Sequence, residues 1–137
     1  MAAYTKYESG IKHLATDINC ATDTFKIALT NTSPNVGTHE FLADATEISA
    51  GNGYSVGGVT IGTTSSETGG TFSLTPAGDV VITASGGTIG AFRYAVFYSD
   101  TPTNDPLLSS FDYGSSITLN DGESLTIDVG TTLFTMS

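Results

Sequence analysis

Phe25-Lys26-Ile27-Ala28-Leu29-Thr30-Asn31 is the stretch from which the fold class is read. Phe25, Ile27 and Leu29 alternate with Lys26, Ala28 and Thr30. That period of two marks a half-buried β-strand. Asn31 to Asn35 (NTSPN) closes the strand with turn formers. Similar short runs, separated by Gly-, Asn-, Asp- and Pro-rich punctuation, continue to the C-terminus. They add up to roughly eight strands and predict an all-β chain, an antiparallel β-sandwich that is Ig-like or jelly-roll-like. Residues 1–137 are expected to form a single domain, without internal repeat or linker.

Upstream, Tyr7, Ile11, Leu14 and Ala15 recur at helical spacing. Residues 1–19 therefore read as a short N-terminal helix or a docking arm, with Gly10 weakening the helix by about 1 kcal/mol relative to Ala. Downstream, Glu47 and Ile48 lead into a short strand. Gly51 to Gly58 (GNGYSVGG) is a loop, and Val59 to Ile61 a strand. Three hairpins follow. In the first, Pro76-Ala77-Gly78 is the loop, with Leu74 opposite Val80 and Phe72 opposite Ile82. The second joins Phe92–Tyr98 to Leu107–Tyr113. Pairing Tyr98 with Leu107 sets Tyr94 against Phe111 and the only arginine, Arg93, against Asp112 as a structural pair. The third turns at Asn120–Glu123, with Leu119 opposite Leu125 and Ile117 opposite Ile127. Thr132 to Met136 supplies the last strand.

Composition narrows function. The chain has 137 residues, enough to bury about two-thirds of its unfolded surface without disulfides or metal. Only 13% of residues are charged, and polarity comes mainly from Ser, Thr, Asn and Gly. Fourteen acidic residues against four basic ones give a net charge of -10. That balance repels nucleic acid and anionic membrane surfaces, which need clustered Lys and Arg. It also keeps a Gly-rich surface soluble. Cys20 is the sole cysteine, so no internal disulfide forms, which suits folding in a reducing cytoplasm. Met1 to Gly10 has no apolar h-region, so no secretory signal is expected. No apolar run has the length to span a bilayer.

Motifs for chemistry are sparse. His13 falls on the helical segment and His39 in a loop, neither in a metal-ligand spacing, so both read as ordinary polar residues. No Gly-x-Ser-x-Gly elbow surrounds a serine. Gly51–Gly58 differs from a dinucleotide fingerprint, with Val56 where the third Gly belongs and a strand following instead of a helix. It reads as a tight turn anchored by Tyr54. Asp100 to Asp105 has oxygen ligands of the kind calcium takes but not the EF-hand pattern, and its residues are ordinary turn formers. No catalytic residue, cofactor or metal is expected, and no enzyme activity. Six Tyr and seven Phe with no Trp read as core and interface residues. Tyr4, Tyr7, Tyr54 and Tyr113 are the interface candidates.

Several of these landmarks resemble, in order and spacing, a group of small virion proteins of tailed bacteriophages. They are Phe25–Asn31 (FKIALTN), Thr46-Glu47-Ile48 with Gly51–Gly58, and Gly86–Gly90 followed by Phe92–Val96. The last is Asn104–Leu107 with Phe111–Glu123. The resemblance runs from about Tyr7 to the C-terminus, with Phe111 standing where a Trp is expected. It implies a structural component of the particle: a capsid decoration (cement) protein bound outside the major capsid protein shell. A minor tail, neck or fibre-adaptor protein is the alternative, and a host-glycan-binding module the third. The partners implied are the major capsid protein or other virion proteins, with a homo-oligomer, such as a trimer, and no nucleic acid or membrane. The location implied is the virion, after synthesis in the host cytoplasm.

Overall fold

The computed structural model describes residues 3–127 and 132–136. Five strands make one antiparallel sheet: β1 (Ala3–Lys6), β2 (Phe25–Thr30), β3 (Val59–Thr60), β7 (Ile89–Ser99) and β8 (Leu107–Leu119), in the order β1-β8-β7-β2-β3. The opposite layer is made of two pieces. One is a three-stranded sheet of β4 (Thr63–Thr68), β5 (Thr71–Pro76) and β10 (Phe134–Met136), in the order β10-β5-β4. The other pairs β6 (Val80–Thr83) with β9 (Ser124–Ile127). The architecture is an all-β antiparallel sandwich with a short helix, α1 (Glu8–Thr16), and one helical turn, α2 (Leu42–Ala45).

Alternation places the core. Phe25, Ile27 and Leu29 of β2, Phe92, Ala95 and Phe97 of β7, and Leu108 and Phe111 of β8 face inward. They meet Leu74, Phe134, Val80, Ile82 and Ile127 of the opposite layer. Each large apolar side chain taken from water stabilises by about 1.5–3 kcal/mol. The outer face of the large sheet is also covered. Tyr7, Ala28, Ala45, Val96, Tyr98 and Leu107 pack there, with Val36 and Leu42 from the segment after β2. β2 is thus buried on both faces, not half-buried as its alternation suggests, because small Ala28 lets that segment lie against it.

The short N-terminal helix forms over Glu8–Thr16, but a strand precedes it. Residues 3–6 are a strand paired antiparallel with β8, from Ala3 opposite Asp112 to Lys6 opposite Ser109, not an arm reaching to a neighbour. The helix that follows buries Gly10 and His13, whereas Ile11 and Ala15 are exposed. Gly10 is the reason. A Cβ there would lie 3.1 Å from the Phe134 ring, 3.2 Å from Leu107 O and 3.3 Å from Leu108 Cα. The residue that weakens the helix is the one that lets it approach the sheet.

Several expected pairings do not form. β5 does not pair with β6. Leu74 stands between Phe134 and Ser65, while Val80 pairs with Ile127 and Ile82 with Leu125. Alternation sets the face of a strand but not its partner, and all four side chains still reach the same core. Likewise the turn at Asn120–Glu123 forms, with Glu123 N–H donating to Asn120 O at 2.9 Å. However, β8 ends against Ile89 and β9 leaves for β6, so Leu119 does not face Leu125. Glu47 makes only an isolated bridge with Thr30 in place of a strand.

The β7–β8 hairpin starts in the expected register, Tyr98 opposite Leu107, then slips by one. Leu108 is an extra residue opposite the Phe97–Tyr98 step. Leu108 joins the main core and Ser109 Oγ also points inward, donating to Leu133 O. This bulge re-phases β8 so that Phe111 faces inward opposite Ala95, and Asp112 lies opposite Tyr94. Further on, two steps along β7 match five along β8, between Phe92/Ile117 and Tyr94/Asp112.

Candidate functional site

The Gly51–Gly58 loop is held by a largely buried polar network. Asn52 and Gly53, both at positive φ (57° and 103°), close a two-residue turn in which Gly51 and Tyr54 exchange backbone hydrogen bonds of 2.8 and 3.1 Å. That turn aims the Tyr54 ring inward, where it is 3% exposed. Its hydroxyl donates to Glu47 Oε2 at 2.5 Å and accepts the N–H of Leu29, in the middle of β2, at 2.8 Å. The same carboxylate oxygen accepts Gly57 N–H at 2.7 Å, and Tyr98 Oη donates to Gly57 O at 2.5 Å. Burial pushes both phenols well above the ordinary range, Tyr54 helped by its bond to Glu47 and Tyr98 by the charge of Asp100. Neither ionises near neutral pH. Gly58 completes the loop at φ 82°, where a Cβ would lie 1.9 Å from Ile27 O. Tyr54 is therefore a packing anchor, as the loop reading expects, and not an outward-facing interface residue. From sequence Glu47 reads as a strand residue and as part of the Thr46-Glu47-Ile48 landmark; its role as the acceptor that seats the loop has no local signal beyond a carboxylate a few residues before a Gly-rich stretch.

The other aromatic candidates divide. Tyr7 is fully buried in the outer cluster, which removes it from any surface. Tyr113 is partly buried, its ring edge-on to Phe92 with centroids 6.5 Å apart. Tyr4 on β1 is 38% exposed and lies 5.7 Å from the Phe111 ring. Of the four, it presents the most surface. The structural pair forms despite the slipped register. Arg93 Nε donates to Asp112 Oδ1 at 2.8 Å and Nη2 to Oδ2 at 3.2 Å. The guanidinium holds Asp112 below the usual carboxylate range, with Gly114 N–H assisting.

A second polar cluster ties α1 to the segment before α2. His13 is 4% exposed, with Nδ1 2.6 Å from Asp17 Oδ2 and Nε2 2.7 Å from Glu40 Oε1. Lys12 Nζ donates to the same Glu40 oxygen at 2.8 Å. The bond to His13 lowers Asp17, and the bonds to Lys12 and then His13 lower Glu40. His13 is thus a buried tie rather than an ordinary surface polar residue. His39 stays in a loop, its Nδ1 accepting Asn35 N–H at 3.3 Å.

A cleft of 480 Å³ lies between α2 and the β7–β8 loop, lined by Phe41, Leu42, Ala43, Asp44, Glu47, Asn104 and Asp105. Its carboxylates are engaged locally. Asp44 Oδ2 accepts the N–H groups of Glu40 and Phe41, which lowers it. Asp105 is raised, first by burial and then by the charge of nearby Asp100. Among the described residues no group of three or more His, Cys, Asp or Glu side chains is placed to hold a metal ion. Among the described residues no helix is long and apolar enough to cross a membrane. Comparison with protein-family models, with curated proteins and with solved structures yields no match.

Proposed function

We propose that this protein is a non-catalytic structural component of a tailed bacteriophage particle, a capsid decoration protein that binds outside the major capsid protein shell. The observation that carries the reading is the ordered set of sequence landmarks that resemble small phage virion proteins. A role in architecture also suits where those landmarks fall. FKIALTN is the interior strand β2, GNGYSVGG is the loop bonded to it, and Phe111–Glu123 carries the end of β8 and its turn. The polar side chains at these places hold the fold: Glu47 and Tyr54 seat the loop, and Asp112 receives Arg93. A rigid sandwich with an acidic surface suits a part that adds contacts to a shell and performs no reaction.

The test is copy number in purified particles, by quantitative mass spectrometry against the major capsid protein. A ratio near the number of shell subunits, or a simple fraction of it, supports decoration. A few copies move the protein to the tail or neck, and absence from particles overturns the reading.

A further inference from the structure

The inner face of the sheet β10-β5-β4 carries two rows of side chains. Ser65, Leu74 and Phe134 stand in register across it, and so do Glu67, Phe72 and Met136. Directly paired residues project to the same side of a sheet. In the first row Leu74 and Phe134 are completely buried. In the second, Phe72 and Met136 are only partly covered. Leu14, Ile18, Asn19 and Cys20, at and beyond the end of α1, form the facing wall, leaving an apolar groove of 460 Å³. Among the described residues, it is the place where the core row continues and its cover stops.

The charge around this groove is acidic. Glu67 ends the row that forms the floor. Asp23 accepts Asn19 N–H at 3.2 Å and its charge acts on the Cys20 thiol. Asp17 directly precedes Ile18. Three of the four cations are paired with carboxylates, Lys12 with Glu40, Lys26 with Asp100 at 3.4 Å and Arg93 with Asp112, while Lys6 is held by Thr135 O at 3.0 Å and lies over the Phe134 ring. A second copy would bring another net charge of -10 against this rim. An anionic bilayer would be repelled likewise. Charge complementarity selects a cationic occupant, and the open floor selects an apolar one.

We propose that the groove docks a large apolar side chain carried by a lysine- or arginine-rich segment of a different protein. Phe72 and Met136 supply the floor, and Asp17, Asp23 and Glu67 meet the flanking cations. The proposal stands on the groove and its charge, whichever particle or assembly the chain serves.

Cys20, the single thiol, lines the groove and reports its occupancy. The rate of its modification by a small thiol reagent is measured on the full chain, with and without a short synthetic leucine–lysine peptide. Seating of a leucine should slow modification roughly tenfold when the peptide is at about ten times its Kd. High salt should remove the protection. Adsorption of the peptide elsewhere on the acidic surface leaves the thiol open, so its rate stays unchanged, or rises where a cation rests close enough to favour the reactive thiolate. Unchanged or faster modification therefore overturns the proposal. Equal protection by a leucine–glutamate peptide overturns it too, and a lysine peptide without leucine should give none. Met136→Glu, checked for an unchanged far-UV spectrum, should abolish protection; protection that survives it would place the peptide elsewhere.

Discussion

Replacing Tyr54 and Tyr7 by phenylalanine, one at a time, removes the same atom from two buried rings and should move stability in opposite directions. The Tyr54 hydroxyl satisfies Leu29 N–H and Glu47 together. Tyr54→Phe leaves a buried backbone donor of β2 without an acceptor, which costs about 1–3 kcal/mol. It also removes a hydrogen bond to a charged group, of about 1.5–3 kcal/mol. The two losses share one atom and do not add fully. A net loss of roughly 2–4 kcal/mol is expected, or a fall in Tm of roughly 6–20 °C for a chain of this size. The Tyr7 hydroxyl is buried and has no hydrogen-bond partner among the described residues. Tyr7→Phe therefore relieves a desolvated group and should be neutral or stabilising by about 1 kcal/mol. Thermal and urea unfolding followed by circular dichroism measure both, with an unchanged m-value showing that only stability has moved. Equal losses for the two variants, or a neutral Tyr54→Phe, would refute this account of the two hydroxyls.

Gly58→Ala combines a left-handed φ with a Cβ inside contact of the Ile27 carbonyl, so it should destabilise by roughly 3 kcal/mol or more, seen as a lower urea midpoint. Asp17, Glu40, Asp44 and Asp112 all titrate below their ordinary range in the fold. Their stabilisation is full above the unfolded-state values, near pH 4, and is lost as pH falls through the lower folded ones, so Tm should be flat near neutrality and drop in acid. Asp105 has the opposite sign, since its raised value means that its charged form opposes folding at neutral pH. Asp105→Asn should raise Tm at pH 7, and the gain should vanish by about pH 3; a gain independent of pH would refute that cause. Arg93→Ala breaks a half-exposed ion pair and should lower Tm slightly, by less at high salt; a Tm equal to the parent's at low salt would show that the pair contributes nothing.

Fold class and the positions of the apolar strands were legible because alternation is local. Phe25, Ile27 and Leu29 declare one face, and Leu74, Val80 and Ile82 declare theirs, whatever strands they join. Partners were not legible. Pro76-Ala77-Gly78 looks like a hairpin loop, yet Ala77 N–H donates to Gly62 O and the chain crosses to the other piece of the layer. The strand β4 went unread because its Ser and Thr residues have no apolar alternation. Its signal is Gly69-Gly70, a two-residue turn with both residues at positive φ that pairs Thr68 with Thr71. The β8 bulge was hidden because Leu107 and Leu108 are adjacent and each is buried, one on either face of the sheet. At the candidate site, Tyr54 was read as both anchor and interface, and only its burial separates the two. Glu47 and His13 draw their roles from partners distant in sequence, which no local pattern encodes.

The two faces of the sandwich are built differently. One is a continuous ladder of five strands, and the other is divided between β10-β5-β4 and β6-β9, with no ladder joining those pieces among the described residues. Amide protons should therefore exchange in tiers. Those of β2, β7 and β8 should open only with the whole molecule, while each smaller piece can lift away without breaking the other's ladder. The β4–β5 ribbon, exposed along β4, should exchange first. The two sides of the sandwich are then expected to differ in compliance, a continuous plate on one and two independently opening panels on the other.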